Sequence, residues 1–230
     1  MTEGVKPRRR YHSQRRQAQA AQTRRDILAA AQQLFLQRGY TGTTLASIAQ
    51  AAGVVVETIY RAFGSKAALF KAVLEAAIAG GPARAERPVD QRPAIQAVIA
   101  EPNPRRQLQL YAATQPGIHA RVGPLARVLA EAAAAEPDLA EVARQLEAQR
   151  LDGMGRFAQH LADRGALRPD LSVQEARDLL WTLNAHAVHD LLVTQRGWPP
   201  ERYRDWLADT LARALLPDNQ PNPTTAGSNT

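Results

Sequence analysis

Two short helical stripes divided by a glycine constrain this chain more than any other feature. Leu45, Ile48, Ala49 and Ala52 fall at i, i+3, i+4 and i+7, which is one apolar face of a short helix. Thr44 precedes the stripe as a helix-starting residue, and Gly53 follows it as a stop. A few residues on, Val55 to Phe63 carries a second stripe with Ile59 and Phe63 inward, and Gly64 closes it. Two such helices meeting across a glycine turn make a helix-turn-helix at about residues 44–63. Ala49 is small where the two helices must cross closely.

Nearly everything between the chain's ends reads as helix, because Ala and Leu dominate and no long β-branched alternation occurs. A helix is expected to open at Thr23, with Asp26 completing a capping box, and to end at Gly39. Ile27, Ala31, Leu34 and Phe35 form its inward face. Ser65 caps a fourth helix with Leu69, Val73 and Ala76 inward. Gly80-Gly81-Pro82 is the natural domain boundary. Beyond it, helices are expected near 92–100, 104–115, 124–135, 138–164, 173–195 and 199–216, punctuated by Pro104, Pro116-Gly117, Gly123-Pro124, Gly165 and Gly197. The expected fold is all-α: an N-terminal three-helix helix-turn-helix domain over residues 23–79 and a C-terminal helical bundle over 80–217. Residues 1–22 read as a flexible basic arm and 218–230 as a disordered tail.

Charge divides the chain the same way. Residues 1–79 hold twelve of the 29 Lys and Arg but only four of the 22 Asp and Glu, so the whole net charge of +7 originates there. A basic head on a near-neutral body suggests a polyanion partner for the head and a different task for the body. The absence of Cys excludes disulfides, thiol nucleophiles and Cys-ligated metals. No stretch reaches the roughly 20 apolar residues of a membrane helix. Arg8-Arg9-Arg10 is followed by polar residues rather than the apolar core of an export signal, so the expected location is cytoplasmic and nucleoid-associated, with no membrane partner.

The run from Thr23 through Leu34-Phe35, Gly39-Tyr40, Thr43-Thr44-Leu45, Ile48-Ala49, Ala52-Gly53-Val54, Ile59-Tyr60 and Phe63-Gly64-Ser65-Lys66 to Leu69 resembles the TetR family of transcriptional regulators. The resemblance covers about residues 23–77. It implies an all-helical homodimer whose heads bind a palindromic double-stranded DNA operator. It also implies a C-terminal domain that binds a small-molecule effector and, most often, repression relieved by that effector. On this resemblance Thr44, Tyr60 and Lys66 fall at phosphate-contacting positions. Val55, Val56, Glu57, Thr58 and Arg61 make up the rest of the expected DNA-binding face. Arg61 could read guanine and Glu57 cytosine, or the two could pair with each other at i, i+4.

Two departures from the family stand out. Val55 occupies the usual Ser or Thr position at the start of the recognition helix, so that helix must be held by packing rather than by a cap. Ala67-Ala68 replaces frequent acids, which leaves the start of the fourth helix more attractive to phosphate. Arg8–Arg10 and Arg15-Arg16 could track phosphates or enter a minor groove.

Ser172–Leu216 resembles the family's C-terminal domain more weakly, which implies a dimer through the last two helices. Leu179, Leu180, Leu183, Val188, Leu191, Leu207, Leu211 and Leu215 are candidates for that interface or for the monomer core. Tyr111, Met154, Phe157, His160, Trp181 and Asn184 are candidates to line an effector pocket, with ordinary core as the alternative. His186, His189 and Asp190 share a helix. With no further identifiable ligand they read as interface or surface groups, and no metal or cofactor is expected. No catalytic residues are expected, since no nucleophile–base order or phosphate loop occurs. The alternative to a specific regulator is a nonspecific architectural DNA binder, which a near-neutral body of this size disfavours.

Overall fold

The computed structural model describes residues 8–218, and every regular element among them is helical. These elements are α1 (Arg8–Arg38), α2 (Leu45–Ala52), α3 (Val56–Phe63), α4 (Lys66–Ala79), α5 (Pro82–Ala85) and α6 (Pro93–Ala100). They continue with α7 (Pro104–Ala133), α8 (Pro137–Asp163), α9 (Val173–Leu183), α10 (His186–His189) and α11 (Pro200–Leu215). A short 3-10 turn spans Val89–Gln91 and a π-helical turn spans Asp190–Gln195. None of the described helices is long and apolar enough to cross a membrane.

Three boundaries differ from the sequence expectation. α1 does not open at Thr23: it is helical from Arg8, through most of the segment expected as a flexible arm. Residues 14–22 are all Gln, Arg and Ala, strong helix formers that carry the helix upstream without a cap. Thr23 is therefore internal, and Asp26 accepts from Gln22 Nε2 at 2.8 Å instead of capping. α7 runs unbroken through Pro116 and Pro124, which cost it backbone bonds but do not end it. Leu108, Ala112, Leu125 and Val128 are buried along α7, and packing of that kind outweighs local propensity. The helix expected over 173–195 is instead three pieces, broken where Asn184 leaves helical geometry and Ala185 turns extended. The tail expected over 218–230 lies, apart from Asp218, outside the described residues, as do residues 1–7.

The chain forms two compact units, and the long helices α7 and α8 contribute to both. Among the described residues, 8–92 and Gly117–Leu146 make the first. Its core joins Ile27, Ala31 and Phe35 of α1 to Ile48 of α2, Ile59 of α3, and Leu69, Phe70 and Leu74 of α4, with Leu125, Val128, Leu139 and Val142. Phe35 stands edge-on to Phe70 with ring centroids 4.8 Å apart, and Tyr40 closes the group at 5.6 Å from Phe70. Arg121 Nε donates to Ala77 O at 2.9 Å, which ties α7 to the last turn of α4.

Pro93–Pro116 and residues 147–218 make the second unit. Its core is Leu108 and Tyr111 of α7, Ala158 and Leu161 of α8, Leu180 of α9, and Tyr203, Leu207, Leu211 and Leu215 of α11. The leucines that sequence leaves undivided now separate. Leu180, Leu207, Leu211 and Leu215 are buried within the chain, whereas Leu191 on the π turn is 52% exposed. His189 is also buried, edge-on to Tyr203 at 4.8 Å, rather than lying on the surface. Burial and the neighbouring His186 push its pKa down.

Candidate functional site

The helix pair is set by its ends. Thr44 Oγ1 accepts from Ser47 N at 3.1 Å, and Ser47 Oγ lies 3.2 Å from Thr44 N, which closes a reciprocal capping box. Accepting that bond leaves the Thr44 hydroxyl able to donate outward, so capping and phosphate contact are compatible. Gly53 adopts φ 66°, a left-handed conformation that non-glycine residues take at a cost, and Val54 N reaches back to Ala49 O at 2.9 Å. Just upstream, Thr43 is fully buried and its hydroxyl donates to Gly39 O at 2.8 Å, which fixes the chain between α1 and α2.

α3 begins at Val56 with Val55 as an extended N-cap that makes no side-chain bond, as the sequence predicts. Ile59, fully buried, anchors it from below. Its far end is held by a contact that sequence reading missed. Arg24 of α1 donates to Ala62 O at 2.9 Å and lies over the Phe63 ring at 4.2 Å. No pattern within α1 announces this, because the partners lie 38 residues apart. Arg24→Ala is expected to destabilise the head by about 1–2 kcal/mol, from a charge-assisted bond and a cation–π contact near the surface. A urea denaturation midpoint equal to that of the unaltered chain would show that Ile59 burial alone holds α3.

The exposed side of α3 carries Val55 (64% exposed) and Tyr60 (55% exposed), together with Glu57 and Arg61. Glu57 and Arg61 are both exposed, and among the described residues no ion pair joins them. Val56 and Thr58 are half-buried, and Val56 packs against the core of the head. Lys66 follows Ser65, whose hydroxyl accepts from Ala68 N at 3.1 Å. Its ammonium sits 4.0 Å over the Tyr40 ring. Burial lowers its pKa while the Glu136 carboxylate opposes that change. Tyr40 itself is pushed up to about 12 by burial and by the Glu136 and Asp138 carboxylates. Ala67 is buried, so the missing acid there also reflects a position with no room in water for a charge.

In the second unit four of the six expected pocket residues, Tyr111, Met154, Phe157 and Asn184, are joined to one another. Asn184 Nδ2 donates to the Tyr111 hydroxyl at 2.7 Å, and that hydroxyl donates to Met154 Sδ at 3.2 Å. The Phe157 ring lies 5.1 Å from that of Tyr111. One turn back on α7, Gln107 Nε2 lies 2.9 Å from His160 Nε2. Arg150 of α8 donates to Trp181 O at 2.5 Å and covers the Trp181 ring at 4.6 Å. Burial drives the Tyr111 pKa far up, so its hydroxyl keeps its proton. Gln107 and Arg150 had no periodic signal to separate them from ordinary helix positions.

Residues 27–73 match the family model described as "Bacterial regulatory proteins, tetR family". The chain is 45% identical over 60 residues to the HTH-type transcriptional repressor BepR of Brucella suis. It is 44% identical over 61 residues to the HTH-type transcriptional regulator TtgR of Pseudomonas putida. Each alignment covers 26% of this chain and 29% of the relative, so the chain spans less than a third of the curated relatives' length. Over the larger span, NalD is similar in fold at a TM-score of 0.62 and 24% identity, covering 86% of this chain and 98% of NalD. NalD is described as the secondary repressor of the MexAB-OprM multidrug efflux pump in Pseudomonas aeruginosa. The capped α2, the glycine turn and the exposed α3 face thus lie within the segment, residues 27–73, that is similar to the tetR family of bacterial regulatory proteins, on a chain whose fold is similar to that of NalD.

Proposed function

We propose that this chain is a sequence-specific DNA-binding transcriptional regulator, a repressor released from a palindromic operator by a small molecule. The observation that carries the reading is the exposed face of α3, Val55, Glu57, Tyr60 and Arg61, flanked by Thr44 and Lys66. Glu57 and Arg61 offer an acceptor and a forked donor to base edges, with Val55, Val56 and Thr58 completing the face. Thr44, Tyr60 and Lys66 offer donors to phosphate. The division of labour is a DNA-binding head over residues 23–79 and an effector-binding, dimerising body over 80–217. The relatives named repressors, BepR and NalD, support the sign of regulation. No enzyme activity is part of this reading, and its place is the cytoplasm, on the nucleoid. A mobility-shift titration with the DNA upstream of the chain's own gene is expected to show binding at least about a thousandfold tighter than to random DNA of equal length. Equal affinity for the two would count against self-regulation.

The homodimer is assigned to the last two helices expected from the sequence, residues 173–195 and 199–216, the first of which ends in the π turn. Leu191 is the large apolar residue most exposed there, and such a side chain suits a partner copy. Leu191→Asp is expected to shift the chain from dimer to monomer in light scattering while its helical content stays unchanged. A mutant that remains dimeric would move the interface elsewhere.

A further inference from the structure

We propose that the upstream turns of α1, residues 15–22, lie as a helix along the phosphate backbone beside the half-site that α3 reads, and add affinity that does not depend on sequence. This rests on the DNA-binding reading above and extends it to a surface outside the helix-turn-helix.

Charge is the first ground. From Gly4 to Arg25 the chain holds eight Lys and Arg and no Asp or Glu. α1 also has no acid in its first turn to offset the positive end of its dipole. Charge of one sign, unrelieved over that length, is complementary to a polyanion.

Placement is the second. α1 packs Ile27, Ala31 and Phe35 into the core of the head. One turn upstream of Ile27, Arg24 donates to Ala62 O in the last turn of α3 at 2.9 Å and lies over the Phe63 ring at 4.2 Å. Arg25, on another side of α1, pairs with Glu86 at 2.9 Å. Running upstream, the helix thus leaves the core, meets the carboxyl end of α3 and continues past it, pinned at that point on two sides. Residues 15–20 are all exposed, so they add nothing to the core of the head. Arg15 lies about 14 Å upstream of Arg24 along the helix axis, which is about four base pairs of duplex.

The form of the segment settles which part of the DNA it suits. Residues 15–22 are helical rather than extended. A helix with its side chains is about 10–12 Å across, whereas the minor groove is about 6 Å wide. The groove path that an extended arm could take is closed to it, and the backbone remains. Ala18 and Ala20 let the helix approach closely, and Gln17 and Gln19 add neutral donors beside Arg15 and Arg16.

The test is a fluorescence-anisotropy titration of the full chain on a long mixed-sequence duplex at several salt concentrations. Mixed sequence removes base reading, so phosphate contacts set the affinity. Arg15→Gln with Arg16→Gln keeps good helix formers and removes two charges. This double variant is expected to bind about tenfold more weakly at low salt and to lower the salt-dependence slope by about two per head. Ala18→Pro keeps every charge but breaks the helix, with no buried face there to rescue it. It is expected to lose a comparable share of the affinity. An unchanged slope in the double variant would overturn the contact. If that variant still preferred the DNA upstream of its own gene, operator reading by α3 would stand without this surface. Loss in the double variant with full affinity in Ala18→Pro would overturn the helical placement and leave a flexible string of cations. No binding of the duplex by the unaltered chain in low salt would overturn both this surface and the DNA-binding reading.

Discussion

Phe35→Ala is expected to cost the head about 3–5 kcal/mol and to abolish DNA binding at ordinary temperature. Phe35 is fully buried between α1 and α4, edge-on to Phe70 and 5.8 Å from the ring of Tyr40. Its removal leaves a cavity that three helices cannot close without shifting the turn that leads into α2. Tyr40 is also the seat of the Lys66 ammonium, so the loss reaches a residue proposed to contact phosphate. Folded domains hold only about 5–15 kcal/mol in reserve, so a loss of this size removes most of it. Circular dichroism reports helices of both units, whereas Trp181, Trp198 and Trp206 all lie in the second. Helical signal lost at lower denaturant than tryptophan signal would locate the damage in the head. A mutant with an unchanged midpoint and unchanged DNA affinity would show that the aromatic group is not the keystone of that core.

The second large effect separates positioning from reading. Lys66→Ala and Tyr60→Phe are expected to weaken binding on every DNA sequence, and Lys66→Ala is expected to lower the salt-dependence slope by about one per head. Arg61→Ala is expected to cost about 1–3 kcal/mol on the preferred operator and little on others, which relaxes the preference at one base pair. The structure sharpens that contrast: Arg61 is exposed with no ion pair to Glu57, whereas the Lys66 charge is seated over a ring and in the field of Glu136. Equal losses for all three variants on every sequence would mean that the roles are divided wrongly. Titrations against a panel of single-base operator variants at two salt concentrations measure both quantities.

The helix-turn-helix was legible because its signals are local. A cap, a stripe of period 3.6 and a glycine at positive φ all lie within about twenty residues, and α2, α3 and α4 begin and end close to where those signals put them. The uncapped start of α3 was legible for the same reason. What holds α3 was not, since Arg24 meets Ala62 only once α1 has packed against it. The misplaced boundaries have one physical origin. Thr23 and Asp26 look like a cap, and Pro116 and Pro124 look like stops, but neighbouring helix formers and buried faces outweighed both. The six pocket candidates came from residue type alone. The partners of two of them, Gln107 for His160 and Arg150 for Trp181, look like any polar residue on a helix until their hydrogen bonds are seen. The leucines of α11 could not be assigned to core or interface from spacing, because both uses require the same stripe.

The central claim is that the exposed face of α3 reads a specific operator. The most direct measurement is selection of bound sequences from a random double-stranded DNA pool by the full chain, followed by sequencing. The expected result is enrichment of an inverted repeat, with half-sites spaced to meet two heads related by a two-fold axis. A pool that stays random after repeated rounds, while the protein still binds it in low salt, would contradict the claim. The head would then be a nonspecific phosphate grip.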